Sequence, residues 1–407
     1  MTGGIDPEID AALGKAAHAR HSPGHVSGDA GSTEPSGEAS GEAPGEPSAQ
    51  GLDLLDEICA LHAELKHDRT GSVATYIPAL AGVDPDTFAI SVVTVAGEMC
   101  SVGDSATRFT LQSIVAPFLY GYVLDEAGRA GVLERVGVEP SGNPFQEIVL
   151  SSRDNRPMNP MINAGALAIA SMLPGEDGSD RLSRMLDRLG LFVGRRPGVD
   201  MLAYVSEKTT ADRNRSIAYL MRNFGGVRGE VEPLLDLYTQ ACAVSVTSDE
   251  LAVMAATLAN AGVNPRTGER AVQCQSLRDV LTVMFTCGLY EASGLWAYRV
   301  GVPAKSGVGG GIIAVVPGIM GIGVYSPRLD ESGNSARGMR VCDRLIGRLG
   351  LHVFGGGRSA AAIDEPIEDV TEAEMIHGRE WIHETPGESD SRDGPRDDGG
   401  NGASDRS

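Results

Sequence analysis

A short run in the last third of the chain combines groups that could act on a substrate. Residues 303–311 read PAKSGVGGG and lead into the apolar run 312–316, and Lys305 is one of only four lysines in the chain. Its ammonium could anchor a substrate carboxylate as a point charge, and the glycines would let the backbone approach a ligand closely. The alternative is a glycine-rich hairpin in which Lys305 only faces water.

Ser113 is the candidate nucleophile. The stretch 109–114, FTLQSI, leads from a strand-like segment into a helical pattern. A serine at a helix N-terminus lies at the positive end of the helix dipole, where backbone N–H groups can stabilise an oxyanion. The commoner role of such a serine is that of an N-cap, so both interpretations stay open.

Polar side chains beside small residues supply candidate ligand groups. Asn163 could hydrogen-bond a ligand in a cleft or cap the helix that follows it. Glu207 could bind a substrate ammonium with Asn214 facing the same side one to two helical turns away, or both could lie on a solvated helix. Tyr238 and Tyr290 occur in apolar surroundings and could be buried core phenols instead.

The distribution of histidine and cysteine restricts the chemistry. None of the eight histidines lies between His67 and His352, and the six cysteines form no CxxC pair and no zinc spacing. A serine–histidine–aspartate relay in the core and a histidine-rich metal site are therefore excluded. A catalytic base must then be a lysine, a tyrosine or a carboxylate, and no metal is predicted.

Composition bounds the partners and the compartment. The chain has 407 residues, 42% of them hydrophobic, and a formal net charge of -21. The charge argues against nucleic acid and anionic membranes as partners. The scattered cysteines suggest buried thiols in a reducing compartment, and neither a signal peptide nor a membrane-spanning run is apparent. We therefore predict a cytoplasmic protein.

Low-complexity ends enclose one core. Residues 1–50 are rich in Gly, Ser, Pro and Glu and are predicted to be a disordered tail, because they have little apolar surface to bury. Residues 356–407 form an acidic tail of the same kind, with a possible short helix at 364–383. The core at 51–355 is the predicted catalytic domain.

The core pattern predicts an α+β fold. Strand-like segments occur near both ends of the core, at 88–95, 99–102, 311–317 and 318–325. Helical patterns occur at 54–65 and 335–351, and the middle, 113–283, is mainly helical. The economical solution is an antiparallel sheet flanked by helices, with an inserted all-helical domain and a cleft where the two meet.

Taken together, these segments resemble the serine-type glutaminases, relatives of the penicillin-recognising enzymes and class A β-lactamases. The resemblance runs from about Tyr76 to Tyr325. The matching motifs are GDS at 103–105, QSI at 112–114, NPMINAGA at 159–166, SE at 206–207, RNRSIAYLM at 213–221, LYTQAC at 237–242, TCGLYEASG at 286–294 and VGVPAKSGVGGGI at 300–312.

The resemblance implies a serine β-lactamase-like fold and hydrolysis of L-glutamine to L-glutamate and ammonia without metal or organic cofactor. Ser113 matches the nucleophile that forms a glutamyl ester. Tyr290 and Tyr76 match tyrosines near the reacting amide, and Lys305 lies in the Lys-Ser/Thr-Gly strand. The substrate-binding positions are matched by Asn163, Glu207, Asn214, Tyr238 and Tyr290, with a backbone contact from Val308. Relatives commonly form homodimers or homotetramers, which implies a homo-oligomer.

One position departs from the family pattern. The family carries Ser-x-x-Lys, so that a lysine one helical turn after the serine can accept its proton, but here that position is Ala116, followed by Pro117. Three hypotheses remain. The protein is a glutaminase of normal or reduced rate, with Tyr290, Tyr238 or Lys305 as base; it is a non-catalytic glutamine- or glutamate-binding pseudoenzyme; or it is a scaffold that associates through its tails.

Overall fold

A five-stranded antiparallel sheet carries the fold, and both ends of the core contribute to it. The computed structural model describes residues 49–142, 148 and 150–355. The predicted tails lie largely outside these residues, as does the predicted short helix at 364–383. The strands are β1 Ala89–Thr94, β2 Met99–Gly103, β3 Phe109–Thr110, β4 Gly198–Val199, β5 Val244–Val246, β6 Ala304–Ser306, β7 Gly311–Val316 and β8 Met320–Tyr325.

The order in the main sheet is β2-β1-β8-β7-β6. The N-terminal hairpin therefore pairs with the C-terminal hairpin through β1 and β8, with Ala89 opposite Tyr325 and Thr94 opposite Met320. The two hairpins lie where the sequence predicted strand-like segments. The α+β architecture with an antiparallel sheet is confirmed.

The helices fill the long interval between the two hairpins and cover the sheet. In chain order they are α1 Ala49–Leu65, α2 Pro78–Ala81, α3 Val115–Leu133, α4 Asn163–Ser171, α5 Gly178–Val193, α6 Met201–Thr209, α7 Asp212–Asn223, α8 Val231–Cys242, α9 Ser248–Ala259, α10 Cys274–Cys287, α11 Ser293–Arg299 and α12 Ala336–Leu349. Two 3-10 turns, Gln112–Ile114 and Tyr290–Ala292, precede α3 and α11.

Both faces of the sheet are buried. On β7, Ile313 and Val315 pack into the core of the inserted helices, whereas Ile312, Ala314 and Val316 pack against α1 and α12. This is the alternation of side chains expected of a strand. Helix α9 lies directly on β8, because a Cβ at Gly321 would fall 2.0 Å from the backbone nitrogen of Ala256.

Two features of the helical region were not predicted. The segments 206–207 and 213–215 are not on one continuous helix, since α6 ends at Thr209 and α7 begins at Asp212. A second sheet of order β3-β5-β4 joins the segment before Ser113 to the inserted helices. Phe109 pairs with Val246 in this sheet, so the approach to Ser113 is held by the inserted region.

Candidate active site

One cavity of about 330 Å³ lies between the sheet and the inserted helices. Such a volume is at the lower end of the range for small-molecule sites. The residues lining it are Tyr76, Ile77, Gln112, Ser113, Asn163, Glu207, Thr210, Ala211, Arg213, Asn214, Tyr238, Cys242 and Val308. Seven of the nine predicted site residues are thus brought together. The other two, Tyr290 and Lys305, do not line the cavity but are connected to Ser113 through hydrogen bonds.

Ser113 occupies the middle of the 3-10 turn Gln112–Ile114, immediately before α3. Its side chain makes no capping hydrogen bond to the helix, so the N-cap interpretation is wrong. The hydroxyl hydrogen-bonds the Tyr290 phenol instead. Gln112 and Tyr290 both have left-handed backbone, with φ of 50° and 58°. Such strained non-glycine residues concentrate at functional sites, and these two flank the nucleophile.

The departure at Ala116 leaves the helix intact. Ala116 is buried one turn after Ser113 and packs into the apolar core of the inserted helices. Pro117 is the third residue of α3, within the first turn, where a backbone N–H has no intrahelical acceptor in any case. The family's lysine is therefore absent without a local distortion of the helix that presents Ser113.

Lys305 lies in β6 and is fully buried. Its Nζ donates to the Tyr290 Oη at 3.2 Å and to the backbone carbonyl of Ser306 at 2.7 Å. Both interpretations of Lys305 drawn from residue chemistry alone are wrong, because the ammonium neither faces water nor lines the cavity where a substrate carboxylate would bind.

The environment of the Lys305–Tyr290 pair shifts the pKa of both groups. Burial lowers the pKa of Lys305 to about 7. Burial also raises the pKa of Tyr290 to about 12, an effect that the hydrogen bond from Ser113 partly opposes. At neutral pH the phenol is therefore protonated and the amine is close to its titration midpoint.

Glu207 is a buried carboxylate on α6 that borders the cavity. Burial raises the pKa of Glu207 to about 7, and hydrogen bonds from Gln112 and Cys242 partly offset that rise. Its Oε2 has no hydrogen-bond partner among the described residues. The solvated-helix interpretation of Glu207 is wrong, and the arrangement suits a cationic group of a ligand.

A pair of carboxamides forms another wall. Asn163 Nδ2 donates to Asn214 Oδ1 at 3.0 Å, and its side chain does not cap α4. Tyr238, on α8, is both a buried core phenol and part of the cavity wall. Tyr76 is half exposed and lies at the cavity mouth.

The glycine-rich loop after β6 passes very close to the turn that carries Ser113. A Cβ at Gly307 would lie 2.6 Å from the carbonyl oxygen of Leu111 and 3.3 Å from the Cβ of Gln112. Only glycine permits this approach, which places Val308 at the cavity. The sequence predicted that these glycines let the backbone approach a ligand, whereas the neighbour that Gly307 approaches in the structure is the protein's own turn.

Six residues of the cavity lining were missed in the sequence: Ile77, Gln112, Thr210, Ala211, Arg213 and Cys242. Gln112 and Cys242 hydrogen-bond Glu207, and Arg213 contributes a cation to the lining. Gln112 adjoins Ser113 in QSI, and Arg213 adjoins Asn214 in RNRSIAYLM, so proximity to the motifs was an available signal. Cys242 had no signal beyond its place at the end of LYTQAC.

Metal ligands do not cluster in the described part of the chain. It brings together no group of three His, Cys, Asp or Glu side chains that could hold a metal ion. No single helix in that part is long and apolar enough to span a bilayer, and the pair Cys274–Cys287 and Tyr290–Arg299 reaches that length only across a bend of 93°.

Comparison with known proteins identifies the family. The sequence profile of the glutaminase family matches residues 71–354. A glutaminase of Nostoc sp. is 52% identical over 301 residues, covering 74% of this chain and 90% of that protein. A glutaminase of Clostridium tetani is 44% identical over 71% of this chain and 95% of its own length.

Solved structures agree in fold. Mglu in its native form is 44% identical, with a TM-score of 0.72 over 75% of this chain and 74% of that chain. A probable glutaminase, ybaS, is 38% identical, with a TM-score of 0.73 over 76% of this chain and all of that one. These neighbours have the β-lactamase-like fold. On the sequence match over most of its core, the chain belongs to the glutaminase family.

Proposed function

We propose that this protein hydrolyses L-glutamine to L-glutamate and ammonia through an acyl-enzyme on Ser113. One observation carries the proposal. A single cavity holds a hydroxyl that is hydrogen-bonded to a phenol at one side and a buried carboxylate with an unpartnered oxygen at another. Family membership supports the same reaction, since relatives at about half identity are named glutaminase.

Glu207 is assigned to the α-ammonium of the substrate. An ammonium would supply the missing partner of Oε2 and would favour the ionised form of a carboxyl that burial otherwise disfavours. Asn163 and Asn214, with the Arg213 guanidinium nearby, offer donors for the α-carboxylate. Tyr238 and Tyr76 complete the wall around the aliphatic part of the substrate.

Ser113 then attacks the side-chain amide carbon. The developing oxyanion is assigned to the backbone N–H groups of Ser113 and Val308, neither of which donates to a backbone carbonyl in the described turns and loops. Departure of ammonia leaves a glutamyl ester on Ser113, and water cleaves this ester to release L-glutamate. All these steps use side chains and backbone of the chain itself.

The alternative of a non-catalytic glutamine or glutamate binder is not favoured. It rests on Ala116 alone, while the hydroxyl, the phenol, the buried carboxylate and the paired carboxamides are all assembled around the cavity. A protein that only binds glutamine or glutamate needs the Glu207 carboxylate and the carboxamides of Asn163 and Asn214. It has no use for a serine hydroxyl held against a phenol by two strained backbone positions.

The test is release of ammonia and L-glutamate by the purified full-length chain, with L-asparagine as the comparison substrate. We expect turnover of L-glutamine that Ser113→Ala abolishes while binding of L-glutamate persists in calorimetry. Ser216→Ala is the matched control, because that hydroxyl bonds the backbone of its own helix at Asp212. Absence of ammonia release above the blank at high enzyme concentration overturns the proposal.

We also propose that the protein is a cytoplasmic homo-oligomer, a dimer or a tetramer. Two consecutive helices, α6 and α7, together with the residue that follows α7, expose several large apolar side chains that a second copy would cover: Met201, Leu202, Val205, Tyr219 and Phe224. No disulfide joins any of the six cysteines, as is usual in a reducing compartment. Light scattering of the purified chain tests the oligomer, and a monomer at micromolar concentration contradicts it.

A further inference from the structure

We infer that Lys305, acting through the Tyr290 phenol, accepts the proton of Ser113 and so replaces the lysine that is missing at position 116. The inference rests on the proposed function, since it assigns the base for that reaction. The inference goes beyond that function by naming a proton path that does not use the helix turn where the family carries its base.

The path is continuous in the structure. The Ser113 hydroxyl hydrogen-bonds the Tyr290 phenol, and the Tyr290 Oη lies 3.2 Å from Lys305 Nζ. Lys305 is held there by its bond to the Ser306 carbonyl at 2.7 Å, and its Nζ also lies 4.3 Å from the centre of the Tyr290 ring. The Ser113 hydrogen bond to the phenol and the 3.2 Å separation of Tyr290 Oη from Lys305 Nζ are what a proton transfer between the three groups requires.

The other groups around Ser113 are poorly suited to this role. Glu207 is committed to the substrate ammonium, and it is hydrogen-bonded by Gln112 and Cys242 rather than by Ser113. Burial raises the pKa of Tyr238 well above its ordinary value, so this phenol gives up a proton only with difficulty. No histidine lines the cavity among the described residues.

Lys305 is a suitable final acceptor because both of its hydrogen-bond partners, the Tyr290 phenol and the Ser306 carbonyl, are neutral groups. No described carboxylate lies within ion-pair distance of its Nζ, and burial lowers the pKa of the amine to about 7. β6 packs against β7, the turn Gln112–Ile114 and α10. The titratable groups on these elements all belong to α10: Cys274 and Arg278 are exposed, Asp279 pairs with Arg129, and burial raises the pKa of the Cys287 thiol to about 11.

Two groups act on the phenol rather than on the amine. Cys242 and Glu291 both raise the pKa of Tyr290 electrostatically, in addition to its burial. The phenol therefore stays protonated at neutral pH. It passes the serine proton on to Lys305 and is not itself the final acceptor. The pH dependence of the pair consequently follows the amine.

The proton balance is closed without any further reagent. As the Ser113 Oγ–carbon bond forms, the hydroxyl proton moves to the Tyr290 oxygen and the phenol proton moves to the neutral amine of Lys305. When the carbon–nitrogen bond breaks, Lys305 returns its proton to the Tyr290 oxygen and the phenol gives one proton to the leaving nitrogen, which departs as ammonia. Water repeats the sequence on the ester, giving L-glutamate and the free serine hydroxyl.

The first test measures kcat at saturating L-glutamine between pH 5.5 and 8.5. In the wild-type protein kcat is expected to rise to a plateau with a midpoint near the pKa of Lys305, about 7. Lys305→Met should lower kcat by about 10²–10⁴-fold and abolish the step in pH, with KM little changed because Lys305 does not line the cavity. An unchanged kcat and pH step in Lys305→Met overturns the inference.

Lys305→Arg separates a base from a buried structural cation. The guanidinium keeps the charge and the donors but does not lose its proton at these pH values. A base predicts the same loss of kcat as Lys305→Met, whereas recovery of kcat in Lys305→Arg would overturn the inference. Tyr290→Phe guards against misfolding at position 305, because it leaves the amine in place and removes only the relaying oxygen. A wild-type rate in Tyr290→Phe is likewise a contradiction.

A serine-directed fluorophosphonate keeps the inference distinct from the proposed function. Its phosphorus bonds to Ser113 Oγ as fluoride leaves, and the serine proton must go to the same acceptor whether or not glutamine is a substrate. Mass spectrometry should show labelling of Ser113 that rises with pH in the wild-type protein and falls at least tenfold in Lys305→Met. No labelling of the wild-type protein, or equal labelling of both proteins, contradicts the relay even if glutamine is hydrolysed. Failure of glutamine turnover alone contradicts only the proposed function.

Discussion

Lowering the pH from 8 to 6 should raise the KM for L-glutamine about tenfold, because Glu207 then loses the charge that binds the substrate ammonium. Burial raises the pKa of Glu207 to about 7, and its Oε2 has no partner among the described residues. A carboxyl with that pKa is about nine-tenths ionised at pH 8 and about one-tenth ionised at pH 6, which gives the tenfold factor. The sign follows from the charge: the acid form is neutral and does not pair with an ammonium.

Two measurements check this expectation. Initial-rate kinetics at several pH values give KM directly. Calorimetry of L-glutamate binding in buffers with different ionisation heats gives the protons released, about 0.9 per site at pH 6 and about 0.1 at pH 8. Glu207→Gln should raise KM by about 10²–10³-fold and remove its pH dependence, since it leaves a buried ammonium without a counter-charge.

Glu232→Gln is the matched control. This carboxylate lies on α8, the helix of Tyr238, but it is largely exposed and pairs with Arg215, so its replacement should leave KM unchanged. A KM that varies less than twofold between pH 6 and pH 8, together with no proton release on binding, would refute the reasoning about Glu207.

Three further expectations follow from the same contacts. Lys305→Met should raise the free energy of unfolding at pH 7 and below, and this gain should disappear as the pH approaches 10.5. Burial lowers the pKa of the Lys305 amine from 10.5 to about 7, so charging the amine in the folded protein opposes folding by up to about 5 kcal/mol. Denaturant unfolding curves at several pH values test this. Gly307→Ala should lower kcat at least about tenfold by displacing the Ser113 turn, whereas Gly347→Ala, where an added Cβ meets nothing within 4 Å, should not. Ala116→Lys should restore part of the rate lost in Lys305→Met, and a double variant no faster than Lys305→Met contradicts this.

The parts of the fold that the sequence predicts well are those with strong periodicity and clear turns. The hairpin around Gly97 and the segments of β7 and β8 alternate or run apolar between turn residues, and they lie within about two residues of the expected bounds. The sheet β3-β5-β4 was not predicted because its strands have only two or three residues each. Such lengths carry no measurable period, so only tertiary contacts define them.

The sequence predicted which residues come together at the cavity, but it did not predict the position of Lys305. Motif order placed Ser113, Asn163 and Glu207 in one cavity correctly. Lys305 looked like a ligand anchor because a lysine in a glycine-rich segment is normally at the surface. Its burial behind Tyr290 depends on the pairing of β6 with β7 and on the turn at 290–292, neither of which a local pattern reveals. The break between α6 and α7 was missed for the same reason, since residues 210–211 contain neither glycine nor proline.

Glu207 and Lys305 together determine the pH dependence of kcat/KM. Both groups must be deprotonated, the carboxyl to bind the ammonium and the amine to accept the serine proton, and burial brings the pKa of each to about 7. Each group then costs about tenfold between pH 8 and pH 6, so kcat/KM should fall about 100-fold over that interval and approach a slope of 2 on logarithmic axes in more acidic solution. On logarithmic axes kcat and KM should each approach a slope of magnitude 1 against pH. Lys305 determines the slope of kcat and Glu207 that of KM, because bound substrate keeps Glu207 ionised. Glu207→Gln should reduce the slope of kcat/KM to 1, and a slope of 1 in the wild-type protein would show that one of the two buried groups works in its protonated form.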